Sequence, residues 1–119
     1  MAVVALTKEN FQNTLEQNKI VLIDFWAAWC GPCRMFAPVY DKVSEKHPDI
    51  VFGRVDTEDA RDLSAEYQIM SIPTLMIFKE SILVFRQSGA LPEKALDDLV
   101  SKVKQLDMDQ VRADMAKDQ

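Results

Sequence analysis

A chain of 119 residues, 48% hydrophobic and 28% charged, has the size and composition of one globular domain with a single core. Its formal net charge of −5 argues against nonspecific binding to nucleic acid or to anionic membrane surfaces. No apolar run approaches the ~20 residues of a membrane span, and Met1 to Glu9 lack the basic and apolar regions of a signal peptide.

In chain order, Thr7 is placed to cap a short helix whose apolar face holds Phe11 and Leu15. Lys19 to Trp26 reads as a buried strand with one charge, Asp24, inside it. Cys30 to Lys46 reads as a helix with Met35, Phe36, Val39, Tyr40 and Val43 at helical spacing; Pro38 falls within it and should kink it. Ile50 to Val55 is a second buried strand, followed by a short helix around Asp59 to Tyr67. Thr74 to Phe78 and Ile82 to Phe85 are close enough to form a hairpin. Pro92 suits the first turn of a last helix, on which Leu96, Leu99, Val100 and Val103 share a face. Alternating strand and helix, then a hairpin and a helix, predict an α/β architecture: a mixed central sheet with helices on both faces.

The domain is expected to span residues 1–105, with 106–119 as an extension. There Asp107 and Gln110 resemble a capping box, and Met108, Val111 and Met115 form a weak stripe. The extension reads as either a marginal extra helix or a frayed tail.

The chemistry concentrates in Trp29-Cys30-Gly31-Pro32-Cys33, where the second element passes into the third. Two cysteines and one histidine, His47, cannot furnish the four ligands zinc prefers. A staple across two intervening residues would constrain the unfolded chain little. Reversible redox chemistry explains the pair better. A helix N-terminus offers partial positive charge and unpaired N–H groups, so a thiolate there is stabilised and nucleophilic near neutrality. Cys30, on the open side, should attack a substrate disulfide, and Cys33, one turn in, should resolve the mixed disulfide. Pro32 suits the first turn because its missing N–H would be unpaired anyway.

Asp24 to Cys33 (Asp24-Phe25-Trp26-Ala27-Ala28-Trp29-Cys30-Gly31-Pro32-Cys33) resembles the active-site segment of thioredoxins. Ile72-Pro73-Thr74 resembles their cis-proline loop, Gly89 matches the glycine beside it, and the resemblance runs from about residue 3 to 105. It implies a thioredoxin fold, with a central mixed five-stranded sheet flanked by about four helices. It also implies a protein-disulfide reductase that needs no bound cofactor and is recharged by an NADPH-dependent thioredoxin reductase. The Gly-Pro pair is that of reducing thioredoxins; oxidases and isomerases of the fold usually carry histidine before the second cysteine, which makes their disulfide more oxidising. A monomer in the reducing cytoplasm is expected, acting on protein disulfides with no nucleic-acid or membrane partner. An oxidase or isomerase of the same fold and a non-catalytic binding module are the alternatives.

Asp24 is either a partly solvated carboxylate at a strand edge or a buried acid beneath the cysteines that moves the proton of Cys33. The cost of a charge inside an apolar strand favours the second. Thioredoxins usually pair this acid with a lysine on the next strand; the matching residue here is Arg54, which keeps the sign, remains charged and binds carboxylates through a planar fork, and is expected to assist Asp24. Pro73 either opens a strand or, as the resemblance implies, forms a cis bond that brings the Ile72 backbone against the dithiol for strand-like pairing with substrate. Trp29, Gly31, Pro32, Ile72, Pro73 and Gly89 would bind substrate around Cys30, with Trp26 in the core. Two further departures are Ser81 at the hairpin, where glycine is usual and another turn type is expected, and Ser88, which makes the edge beside Gly89 more polar. His47, before Pro48, reads as a solvated helix-end residue.

Overall fold

The computed structural model describes residues 2–118. Its strands are β1 (Val3–Ala5), β2 (Ile20–Trp26), β3 (Val51–Asp56), β4 (Thr74–Lys79) and β5 (Ile82–Ser88). Its helices are α1 (Lys8–Gln17), α2 (Gly31–Lys46), α3 (Arg61–Glu66), α4 (Glu93–Gln105) and α5 (Met108–Lys117). The strands form one sheet in the order β1-β3-β2-β4-β5. β2 runs parallel to β3 and antiparallel to β4, so the sheet is mixed, as the order of elements predicts.

Alternation along β2 and β4 divides the core into two layers. Leu22, Leu75 and Ile77 face Phe36, Tyr40 and Val43 of α2 and Leu96, Val100 and Val103 of α4. Val21, Ile23, Phe25, Met76 and Phe78 face Phe11 and Leu15 of α1 and Leu63 of α3. Both central strands are covered on both faces, which is why they read as continuous apolar runs. By the same alternation Asp24 and Arg54, paired in register across β2 and β3, lie on the α2 face.

Several expectations change. β1 was not visible as a strand: three residues carry no periodicity, and they extend only because β3 offers a parallel edge. Met35 lies outside the apolar stripe of α2 and is 78% exposed; Phe36, Tyr40 and Val43 already fill that face, and Met35 stands about 100° away from Phe36 around the helix. Trp26 is only half-buried. His47 is buried, not solvated: it ends α2 beneath α4, with its Nε2 2.6 Å from Asp97 Oδ1.

The hairpin turn does use left-handed backbone, with Glu80 at φ 51° and Ser81 at φ 66°. Such a turn normally favours glycine or asparagine. Here neighbours hold it: the Glu80 N–H donates to the Lys19 carbonyl at 2.7 Å, and Ser81 Oγ donates to the Leu15 carbonyl at 3.2 Å.

Among the described residues the helix count is five, the last being α5. Asp107 caps it by accepting from the Asp109 and Gln110 N–H groups at 3.0 and 3.2 Å. Met108 is buried, Val111 is half-buried and Met115 is exposed. Arg112 reaches back to Glu80 Oε1 at 2.8 Å. Beneath this junction Lys79, 2% exposed, donates to the carbonyls of Val103, Lys104 and Leu106 at 2.7, 3.1 and 2.9 Å. A buried ammonium thus takes over carbonyls that the end of α4 leaves free.

Candidate active site

Strand β2 ends at Trp26, and a short loop delivers Trp29, 68% exposed, to the start of α2. Cys30 is the N-cap of that helix and Cys33 lies in its first turn, with Pro32 between them. The two are joined by a disulfide with a Cα–Cα distance of 5.2 Å. The Cys33 N–H, one of the donors a helix start leaves free, points at Cys30 Sγ at 3.2 Å. That N–H and the aligned peptide dipoles would stabilise negative charge on Cys30 once the bond opens. Both cysteines are buried in this oxidised form, at 4% and 1% exposure, so their surroundings distinguish them more than their exposure does.

The surroundings of Cys30 come from three loops. The Ile72–Pro73 peptide is cis, and the Ile72 carbonyl oxygen lies 3.7 Å from Cys30 Sγ. Gly89 adopts φ 98°, a conformation side chains disfavour, and its N–H donates to the Pro73 carbonyl at 2.8 Å. Gly31 has open space where a side chain would stand. Ser88 Oγ accepts from Ser71 Oγ at 3.0 Å and lies 3.3 Å from Thr74 Oγ1, tying the end of β5 to the Pro73 loop. The structure therefore brings Trp29, Gly31, Pro32, Ile72, Pro73 and Gly89 to the same end of the sheet as the dithiol.

Sequence reading missed Met70 at this end. It is 92% exposed and lines, with Trp29, Thr57, Ile69 and Ile72, a shallow hollow of about 320 Å³. Its position two residues before Ile72 was the available signal.

Asp24 is fully buried, which removes the partly solvated alternative. Its Oδ2 lies 3.5 Å from Arg54 Nε, and its Oδ1 has no hydrogen-bond partner. Burial pushes its pKa up to about 6, and the Arg54 guanidinium only partly opposes that rise. Arg54 is held over the rings of Trp26 and Tyr40, 5.9 and 5.7 Å from their centroids. Its other end reaches Asp41 Oδ1 at 3.4 Å. Asp41 gave no sequence signal, because an acid on an exposed helix face is ordinary.

This arrangement places a dithiol at a helix N-terminus, the Ile72 carbonyl beside it, and a buried carboxyl of raised pKa on the sheet face against which α2 packs. Such a set can exchange a disulfide with an extended partner and manage one proton while doing so.

Residues 2–105 match the family model for thioredoxin. The chain is 56% identical to "Putative thioredoxin 2" of Streptomyces coelicolor over 116 residues, 98% of this chain and 87% of that one. It is 40% identical to the thioredoxin of Alicyclobacillus acidocaldarius over 105 residues, 87% of this chain and all of that one. Among solved structures, a mutant thioredoxin from Halobacterium salinarum aligns with a TM-score of 0.79 and 30% identity, covering 84% of this chain and 88% of that one. Plasmodium falciparum thioredoxin aligns at 0.76 and 32%, covering 83% and 96%.

Proposed function

The chain belongs to the thioredoxin family, and from that premise we propose a role for each residue of the site. The protein is a thiol–disulfide oxidoreductase of the protein-disulfide reductase type. In the reduced protein the Cys30 thiolate attacks one sulfur of a substrate disulfide, and the other substrate sulfur leaves as a thiolate. Cys33 then gives up its proton, attacks Cys30 Sγ and expels the second substrate thiolate. Two electrons pass to the substrate and the Cys30–Cys33 disulfide remains. Asp24 takes the proton of Cys33, and Arg54 limits how strongly Asp24 holds it. Trp29, Gly31, Pro32, Ile72, Pro73 and Gly89 seat an extended substrate segment against the Ile72 backbone.

The observation that carries this reading is the disulfide at the start of α2, with the Cys33 N–H on Cys30 Sγ and the Ile72 carbonyl beside it. Residues 1–105 are the working domain in this reading, and 106–119 an extension that buries Met108 and reaches the hairpin turn through Arg112. A reductant of a reducing cytoplasm, recharged by a thioredoxin reductase with NADPH, fits the Gly-Pro pair, and we take the protein to act as a monomer. No helix among the described residues is long and apolar enough to cross a membrane.

The test is insulin reduction coupled to a thioredoxin reductase and NADPH. Steady NADPH consumption with insulin precipitation is the expected result; no turnover with either a bacterial reductase or dithiothreitol as donor overturns the reading. A reduction potential in the oxidising range of the fold, in place of a reducing one, would transfer the protein to the oxidase and isomerase alternative.

A further inference from the structure

The Arg54–Asp24 contact is incomplete. A guanidinium and a carboxylate that are free to pair form two parallel bonds at about 2.7–2.9 Å. Here one nitrogen reaches one oxygen at 3.5 Å, and Asp24 Oδ1 is buried without a partner. The other end of the same guanidinium lies 3.4 Å from Asp41 Oδ1, and Asp41 keeps 54% of its side chain exposed. The rings of Trp26 and Tyr40 flank the guanidinium and restrict it to this path between the two acids. One cation therefore serves two carboxylates, one buried and one in water.

We propose that Asp41 is a positioning residue for the resolving step: it draws Arg54 outward and shares it, so that Arg54 does not neutralise Asp24 in full. The inference rests on the reading of Asp24 as the acid that handles the proton of Cys33. Such an acid must be able to take up and return a proton near neutrality. A full fork from Arg54 would pull its proton affinity down towards that of an ordinary carboxyl, whereas loss of the cation would raise it further. Arginine suits this divided role because its planar fork can bond two acceptors at once; the lysine usual in this family is a single point charge.

The groups that face Asp24 are few. Arg54 stands on the β3 side. Tyr40 and Asp41 stand on α2, and the Tyr40 hydroxyl donates to the Gly53 carbonyl at 2.8 Å, leaving it neutral. Leu75, its register partner on β4, is apolar. The Asp41 charge raises the Asp24 pKa directly as well, in the same direction as its hold on Arg54.

The experiment is a direct titration of the Asp24 carboxyl by carbon-detected NMR in wild type, Asp41→Asn, Asp41→Glu and Arg54→Gln, with Asp41→Asn repeated in the Arg54→Gln background. Asp41→Asn should lower the midpoint from about 6 by a few tenths of a pH unit or more, and Asp41→Glu should restore it. The pH profile of mixed-disulfide resolution should move by the same amount. The shift should shrink once Arg54 is replaced. An unmoved midpoint in Asp41→Asn overturns the proposal. So does a full-sized shift without Arg54, because Asp41 would then act as a plain surface charge. The titration reads Asp24 itself, so it stands apart from whether the protein turns over insulin.

Discussion

Two charges are buried on the α2 and α4 face of the sheet, at its opposite ends. Asp24 lies in the half of β2 that leads to the dithiol, with one oxygen unpartnered and the other in a single long contact with Arg54. Lys79 lies at the far end and donates to three carbonyls. Burying a charge is costly in both places. At Lys79 the cost is offset by hydrogen bonds, and the result is a fastening between the sheet and the end of α4. At Asp24 the cost is left standing, and the result is a carboxyl whose proton affinity has risen into the physiological range. If the role proposed for Asp24 is right, satisfaction separates the structural buried charge here from the chemical one.

That comparison predicts opposite outcomes for neutralising the two residues. Lys79→Met strands three carbonyls at a helix end. Three charge-assisted bonds at about 1.5 kcal/mol each, less what water recovers, leave a loss of about 3–4 kcal/mol. Thermal melting should fall by 10 °C or more, on the order expected for a domain of this size, while insulin reduction per folded molecule stays near wild type. A melting temperature that does not change would show that the three bonds contribute nothing.

Asp24→Asn should do the reverse. The folded pKa of about 6 stands above the ordinary 3.8, a rise of roughly two units, or about 3 kcal/mol at 1.36 kcal/mol per unit. Because the folded state binds the proton more tightly, stability is fully present below pH 3.8 and is lost as pH rises through about 6. The variant should therefore match wild type at low pH, exceed it by up to about 3 kcal/mol at pH 7, and resolve mixed disulfides more slowly. Urea unfolding at both pH values checks the sign, and a variant that is less stable at pH 7 would contradict it.

A smaller effect is expected from removing residues after Leu106, which keeps the third acceptor of Lys79 but deletes α5. The loss is the burial of Met108, worth about 1–2 kcal/mol after the entropy of ordering a short helix. The Arg112–Glu80 pair is largely exposed and adds little. Insulin reduction should persist. A truncation that unfolds the chain would show that the left-handed turn at Glu80 and Ser81 depends on α5.

The two ends also differ in how legible they were from sequence. Cys30, Pro32 and Cys33 announce themselves because their chemistry is local: a helix start, a missing N–H and two thiols three positions apart. Asp24 stood out as one charge in an apolar strand. Lys79 also sits in such a strand, yet as its last residue it looked like the edge of a turn, and its acceptors lie 24 to 27 residues further on. His47 and Asp97, 50 residues apart, were hidden for the same reason. β1 exists only through its pairing with β3, and Met35 was misplaced because helical spacing alone does not give the width of a buried face. What depends on neighbours along the chain could be read; what depends on partners brought together by the fold could not.

The central claim is that Cys30 attacks and Cys33 resolves. The most direct measurement mixes reduced Cys33→Ser and reduced Cys30→Ser separately with an oxidised protein substrate and resolves the products by non-reducing electrophoresis. Cys33→Ser should accumulate a higher-mass adduct that dithiothreitol removes, since Cys30 can still attack and nothing nearby can displace it. Cys30→Ser should accumulate none. Equal trapping by both variants, or trapping by Cys30→Ser alone, would contradict the assignment.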